Sequence, residues 1–306
     1  MKYYFYLCVR MQSQRLKGYL AAAVSAISFG LIPVFVVPLK QAGISMDIAL
    51  FYRFFLGAAM IAIYMLFTGK SLKITWPDIP KMLVMGVFYA LSSEFLFLGY
   101  DLMSVGIAST LIYTYPIIVA VILSVGFGEI ISPATKFSIL LAMLGVVCMS
   151  WKGETMEFNF FGMSMILLGS LAYALYMVMV NKAGLKIQGM SLTCYSLLFS
   201  AFFYAGKALV TGQALILPGM NWVGFIATFS FVTTVISVLA MVYAIGLIGS
   251  TPTAVLGALE PVVAVWIAVI SFGEKVTWNL IAGVALVIAA LIVNVLGKTI
   301  RRRRTT

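Results

Sequence analysis

PIIVAVILSVGFGE, residues 116–129, returns 145 positions later as PVVAVWIAVISFGE, residues 261–274. Pro116, Phe127, Gly128 and Glu129 recur as Pro261, Phe272, Gly273 and Glu274. A looser echo opens each half, where Gly18-Tyr-Leu is answered by Gly162-Met-Ser at an offset of 144. Around these stretches the chain is a succession of apolar runs. They fall at 18–38, 48–68, 79–100, 106–127, 133–151, 160–181, 191–211, 222–246, 251–272 and 277–297. Each is close to the ~20 residues a helix needs to cross a bilayer, and each is too long and too continuous for a barrel strand. The spacing predicts an all-α integral membrane protein of ten transmembrane helices, arranged as two halves of five. Five is odd, so the second half enters the membrane with the opposite orientation.

Composition supports this reading. Of 306 residues, 63% are hydrophobic and 9% charged, and the mean hydropathy is +1.11. A water-facing surface needs more polar residues than that, so the exterior must face lipid. The expected organisation is an N-terminal extension at 1–17, a first repeat at 18–151, a second at 160–297 and a basic tail at 298–306. The extension is long and polar, and the first apolar run is long enough to span, so it reads as an uncleaved first helix. Met11 is an alternative start.

The net charge of +11 is distributed by side of the membrane. If both termini are cytoplasmic, the inner side carries Lys2, Arg10, Arg15, Lys17, Lys70, Lys73, Lys81, Lys136, Lys182, Lys186, Lys298 and Arg301 to Arg304. The outer side carries only Lys40, Lys152 and Lys275. Fifteen against three is a strong positive-inside bias and orients the chain. The arginine tail then meets anionic headgroups of the lipid bilayer. Basic residues tied to the membrane plane argue against a nucleic-acid partner.

No histidine is present, and Cys8, Cys148 and Cys194 are scattered. That removes the commonest metal ligand and general base, and leaves the thiols as small packing residues. We find no nucleophilic-serine motif, carboxylate dyad or phosphate-binding glycine loop, so neither an enzyme, nor a cofactor or metal, nor nucleotide-driven pumping is expected.

Inverted repeats are the sequence mark of secondary transporters, whose central site opens alternately to each side. Pro116 and Pro261, at matched positions deep in their runs, predict kinks or freed carbonyls near that site. Glu260 stands about nine residues into its run, roughly 13 Å along the helix and near mid-membrane. An ionisable group at such depth points to function. Thr253, Gly257 and Glu260 share a helix face, giving a polar wall. Glu260 is thus a candidate proton carrier or ligand for an amine; the alternative is a structural partner for Arg53 or Lys207. Glu94, on one face with Phe97 and Asp101, is either part of an ion path or one member of a buried pair. Arg53 and Lys207, toward the outer ends of their helices, are expected to snorkel, or in the case of Arg53 to pair with Glu94. Tyr113, Tyr115, Tyr173 and Tyr176 offer an aromatic surface. Thr110, Thr233, Thr234 and Ser237 either line the cavity or bond back to their own helices. Glu129 and Glu274 read as helix-end determinants.

The segment LEPVVAVWIAVISFGEKVTWNLIAGVALVIAALIVN (259–294), its counterpart TYPIIVAVILSVGFGE (114–129), and Arg53 within DIALFYRFFLGAA together resemble the EamA domains of the drug/metabolite transporter superfamily. The resemblance covers about 18–297. It departs after Glu129, where IISP replaces the polar turn at 275–278. It implies a five-plus-five inverted-repeat carrier in a bacterial plasma membrane, with a cavity lined largely by helices 1, 3, 4, 6, 8 and 9. Such carriers often export amino acids or other small-molecule metabolites. A channel or a lipid-translocating protein is the competing reading. An ion gradient, exchange, or the substrate gradient itself remains open as the driving force.

Overall fold

The computed structural model describes residues 2–102, 111–150, 159–185, 189–216, 219–272 and 276–303, and every regular element among them is helical. Thr110, Lys152, Lys186, Gly273, Glu274, Lys275 and Arg304 lie outside the described residues. In chain order the α-helices are α1 (Lys2–Gly30), α2 (Ile32–Gln41), α3 (Met46–Phe67), α4 (Ile79–Leu102) and α5 (Tyr115–Phe127). They continue as α6 (Pro133–Ser150), α7 (Phe160–Lys182), α8 (Gly189–Thr211), α9 (Met220–Ser230) and α10 (Ser237–Ile248). The last are α11 (Ser250–Leu256), α12 (Leu259–Phe272) and α13 (Trp278–Arg303). A π-helical turn, Phe231–Ile236, joins α9 to α10.

Six helical stretches are long and apolar enough to cross a membrane: Ser13–Gln41, Met46–Phe67, Trp76–Gly99, Phe160–Lys182, Gly189–Thr211 and Asn221–Ile248. Shorter apolar helices lie at Tyr115–Phe127, Pro133–Cys148 and Trp278–Asn294. In hydrocarbon no water can serve the backbone, so the chain satisfies its peptide groups within helices. The segment ahead of residue 18 is continuous with the first apolar helix, and the tail continues α13 to Arg303.

Burial is inside-out relative to a water-soluble protein. Large apolar side chains such as Val125, Leu209 and Val210 stand exposed, while Arg53, Ser196, Ser200, Thr233, Thr234 and Ser237 are buried. Lipid tails match apolar side chains, so helices in this setting associate by close backbone approach and interhelical hydrogen bonds. Gly145 illustrates the first: a Cβ there would lie 2.8 Å from the Gly283 carbonyl oxygen on α13. Ser200 illustrates the second, its hydroxyl donating to the Gly86 carbonyl of α4.

Which helices pack together follows a pattern. α1 packs on α10 as α4 packs on α7, and α5 packs on α7 as α1 packs on α12. α3 meets the π-turn as α4 meets α8, while α3–α8, α6–α13 and α5–α11 pair across the two runs. Exchanging the first five apolar runs for the second five in order returns these same pairings.

At both prolines, where a kink or a freed carbonyl was expected, the helix is interrupted by a two-residue turn. Pro116 occupies the first turn of α5, just after the non-helical turn at Tyr113 and Thr114. Pro261 occupies the first turn of α12, after the turn at Gly257 and Ala258. A proline at a helix start has no missing hydrogen bond to lose and its fixed φ suits the first turn, so it nucleates a half-helix where a mid-helix kink was expected. α5 closes at Gly128, whose φ of 64° is the left-handed cap. From there the N–H groups of Gly128 and Glu129 both donate to the Leu123 carbonyl. The first span also breaks, between α1 and α2 at Leu31, without any anticipating signal in the repeat.

Candidate functional site

The two breaks meet. Tyr113 and Tyr115, at the start of α5, reach the carbonyls that the 257–258 break leaves at the end of α11. Tyr113 Oη donates to Ala254 O and Val255 O at 3.2 Å each, and Tyr115 Oη donates to Ala254 O at 3.3 Å. These carbonyls also accept the Gly257 and Ala258 N–H groups at 3.1 Å each, so the tyrosines fill their second acceptor sites in a low-dielectric interior. Gly257 is required by the same contact, because a Cβ there would collide with Tyr115 Oη. At the repeat offset of 145, Tyr115 and Glu260 are equivalent positions, and both face one pocket.

That pocket is partly open, and its cavity volume of about 10 Å³ is room for roughly one water. α1 contributes Ala22, Ser25 and Ala26, and α5 contributes Tyr115. Tyr173 and Met177 come from α7, and Met241 from α10. Thr253, Gly257 and Glu260 complete the wall from the broken ninth apolar run. Small residues on α1 make the room. Gly30 lets α1 approach the start of α12 so closely that a Cβ would sit 2.8 Å from the Glu260 carbonyl oxygen. Binding sites for drug-sized ligands span ~300–1,000 Å³, so a metabolite enters this pocket only after its walls part.

Glu260 stands in the first turn of α12, near the positive end of the helix dipole. Its backbone N–H donates to Gly257 O at 2.8 Å. Among the described residues its carboxylate makes no ion pair, so the expected alternative of a structural bridge to Arg53 or Lys207 is not what forms. Lys207 instead holds Asp47, at 2.8 Å, together with Glu94. This corrects the expected snorkelling of Lys207, and it takes Glu94 away from Arg53 and from the pocket into a three-residue ion cluster on α3, α4 and α8. Asp101 bridges to Lys40 at 2.9 Å, and Glu129 to Lys182 at 2.6 Å.

Arg53 neither snorkels nor pairs with a carboxylate. Its Nε donates to Thr234 Oγ1 at 2.6 Å and its Nη2 to Thr233 O at 3.2 Å. The π-turn supplies both acceptors, since its wider coil turns the Thr233 carbonyl out of the helical ladder. Thr234 is thus engaged by Arg53 and does not line the pocket. Thr253 lines it while its hydroxyl donates back to Gly249 O at 2.8 Å. Tyr173 packs edge-on against Tyr115, with ring centroids 4.9 Å apart, and its hydroxyl meets Met241 Sδ at 3.3 Å. Tyr176 and Ser237 lie deeper and fully buried, Tyr176 toward Ser196, and the Ser237 hydroxyl has no partner among the described residues.

Of the residues singled out from the sequence, Glu260, Tyr115, Tyr173, Thr253 and Gly257 converge on the pocket. Tyr113 stands one layer behind, Pro116 and Pro261 begin the half-helices, and Tyr176, Thr234, Ser237 and Glu94 do not line it. The α1 wall and the two methionines were missed, because small apolar residues in a lipid-soluble helix carry no chemical mark. The lining comes from the first, fourth, sixth, eighth and ninth apolar runs, while Tyr89 of the third stands behind Tyr173.

Broken helices that meet around a half-buried carboxylate are an arrangement found in membrane transporters. The family model described as "EamA-like transporter family" matches residues 16–151 and again 160–296, and the chain belongs to that family, within the drug/metabolite transporter superfamily. An uncharacterized transporter of Archaeoglobus fulgidus is 25% identical over 251 residues, covering 78% of this chain and 84% of the relative. The uncharacterized transporter YcbK of Bacillus subtilis is 25% identical over 249 residues, covering 77% and 78%. YvbV, another uncharacterized transporter of that organism, is 22% identical over 226 residues, covering 72% of each. A solved crystal structure matches the fold with a TM-score of 0.74 at 17% identity, covering 93% of this chain and 98% of that one.

Proposed function

We propose that the protein is a secondary active carrier that exports amino acids or similar small metabolites by alternating access at the Glu260 pocket. It works as ten spans in two inverted halves, 18–151 and 160–297, with both termini cytoplasmic, in a bacterial plasma membrane. The observation that carries this reading is the meeting of two helix breaks, at equivalent positions of the two family-matched segments, around one unpaired carboxylate. Half-helix ends of this kind gather charge and hydrogen-bonding groups at mid-membrane, where an unbroken helix offers none. The pairing list that survives exchange of the two runs favours the same conclusion, since two like halves can trade conformations at little net cost. The narrowness of the pocket suits an intermediate between the two open states.

The test is flux of a labelled amino-acid and metabolite panel in proteoliposomes, with and without an imposed pH gradient. Wild type is compared with Glu260→Gln. Gradient-driven flux that disappears in the variant is the expected result. Saturable flux unaffected by the substitution would remove Glu260 from the mechanism. A non-saturable leak would replace the carrier with a channel.

A further inference from the structure

The pocket is too small for a metabolite and about the size of one small ion. Its volume of about 10 Å³ holds a single water-sized particle. Its wall carries one carboxylate, Glu260, and four hydroxyl-bearing side chains, Ser25, Tyr115, Tyr173 and Thr253. These come from α12, α1, α5, α7 and α11, so both halves of the chain contribute.

Three of the four hydroxyl protons are already committed. Tyr115 Oη donates to Ala254 O at 3.3 Å, Thr253 Oγ1 to Gly249 O at 2.8 Å, and Tyr173 Oη to Met241 Sδ at 3.3 Å. A hydroxyl has one proton to give, so what these three retain is lone pairs. The hydroxyl of Ser25, a residue 4% exposed, and the half-buried carboxylate of Glu260 have no hydrogen-bond partner among the described residues. The set therefore offers electron pairs and a negative charge, and no described cation pairs with that charge. A carboxylate left so at membrane depth is costly.

The repeat shows that this corner is built once. α7 packs on α5 as α1 packs on α12. At the α7–α5 corner Ser170 and Thr114 bond to each other at 2.8 Å, and Tyr115 occupies the position equivalent to Glu260. At the α1–α12 corner the repeat offsets of 144 and 145 put Ala26 and Leu259 in place of that bonded pair, and a carboxylate in place of the phenol. One corner is closed with its polar groups satisfied. The other keeps space and charge.

We infer that the α1–α12 corner is a sodium site, in which one dehydrated Na⁺ is held by the Glu260 carboxylate and by lone pairs of Ser25, Thr253, Tyr115 and Tyr173. One monovalent charge neutralises one carboxylate, whereas a divalent ion would leave an excess charge at membrane depth. No group of three acidic or thiol side chains suited to a divalent metal gathers among the described residues. Sodium is favoured over potassium because the smaller ion approaches the carboxylate more closely, where Coulomb attraction is larger. The role of the site rests on the carrier reading above. A single carboxylate serves ion and cargo in turn, so the carrier works by exchange. A proton competes for the same oxygens. The titratable groups within electrostatic reach of Glu260 are Tyr89, Tyr113, Tyr115 and Tyr173, all neutral below about pH 10 in the ordinary way. Of the helices packed on α12, namely α1, α2 and α13, none brings a described charged residue to the pocket.

The experiment uses the purified full chain in detergent micelles. Melting is followed in sodium, potassium and choline chlorides at constant ionic strength, and bound radioactive sodium is counted. Sodium is expected to raise the melting midpoint saturably, by about 5 °C at a hundredfold excess over its Kd, while potassium and choline do not. Binding should saturate at one ion per chain, and should weaken about tenfold per pH unit once the carboxyl is protonated. Glu260→Gln should abolish the sodium shift. Ser25→Ala and Thr253→Val should each weaken sodium binding about tenfold, and they carry the test if the glutamine variant does not fold. Melting and binding that do not distinguish sodium from potassium would overturn the assignment, leaving a water in the corner and the carrier reading intact. Sodium binding unchanged in Ser25→Ala and Thr253→Val would overturn it too. Sodium binding lost in these variants, in a wild type that moves no member of the metabolite panel under a sodium or pH gradient, would uphold the ion site and overturn the carrier.

Discussion

Gly257→Ala is the sharpest perturbation of the helix break. The added Cβ would overlap Tyr115 Oη, with Ala254 O at 3.0 Å and Tyr115 Cζ at 3.1 Å. The tyrosine must therefore leave its hydrogen bond to Ala254 O, about 1 kcal/mol, and its ring must shift in a packed interior, about 1–3 kcal/mol more. A loss of roughly 2–4 kcal/mol follows. The collision is with the hydroxyl, so Tyr115→Phe should relieve it. With Oη gone the nearest ring atom is Cζ, which needs to yield only a few tenths of an ångström. Tyr115→Phe alone forfeits about 1 kcal/mol, while Tyr113 continues to cap the same carbonyl. The double variant should then be less destabilised than the sum of the singles by about 1–2 kcal/mol. Equilibrium unfolding in mixed detergent micelles measures all four corners of the cycle. Additivity to within about 0.5 kcal/mol would show that Gly257 is not there to admit Tyr115.

The ion cluster of Lys207, Asp47 and Glu94 makes a second prediction. Lys207→Met leaves Asp47 and Glu94 facing each other without a cation and should cost about 1–3 kcal/mol, with Glu94→Gln recovering part of it; equal stability of both variants would refute the cluster. At the α6–α13 crossing, Gly145→Leu places a side chain against the Gly283 backbone and should destabilise by at least ~2 kcal/mol, read by the same unfolding assay, while Gly126→Leu, with open space around it, should change little.

Much of the architecture is legible along the chain because hydrophobicity at membrane length is a one-dimensional signal. The apolar runs, the repeat that carries Pro116 and Pro261, and the carboxylate of Glu260 within an apolar run each depend on residue type and spacing alone. Glu94, Lys207 and Arg53 were less legible. Each is a charge in an apolar run, and which charge meets which depends on helix rotation, which no run length records. Arg53 was expected to snorkel or to pair with Glu94; α8 brings Lys207 to Glu94, and the π-turn captures Arg53 instead.

The sequence by itself determined an all-helical membrane chain with a duplicated proline signal, because the bilayer allows few backbone solutions for runs of this composition. Only the tertiary structure decided that the prolines begin half-helices, that tyrosines of one break cap the carbonyls of the other, and that Ala22, Ser25 and Ala26 make room for the pocket. Those outcomes are set by contacts between residues about 90 to 230 positions apart in the chain. They are governed by local shape and by hydrogen-bond completion in a medium without water, and neither quantity is a property of any single segment.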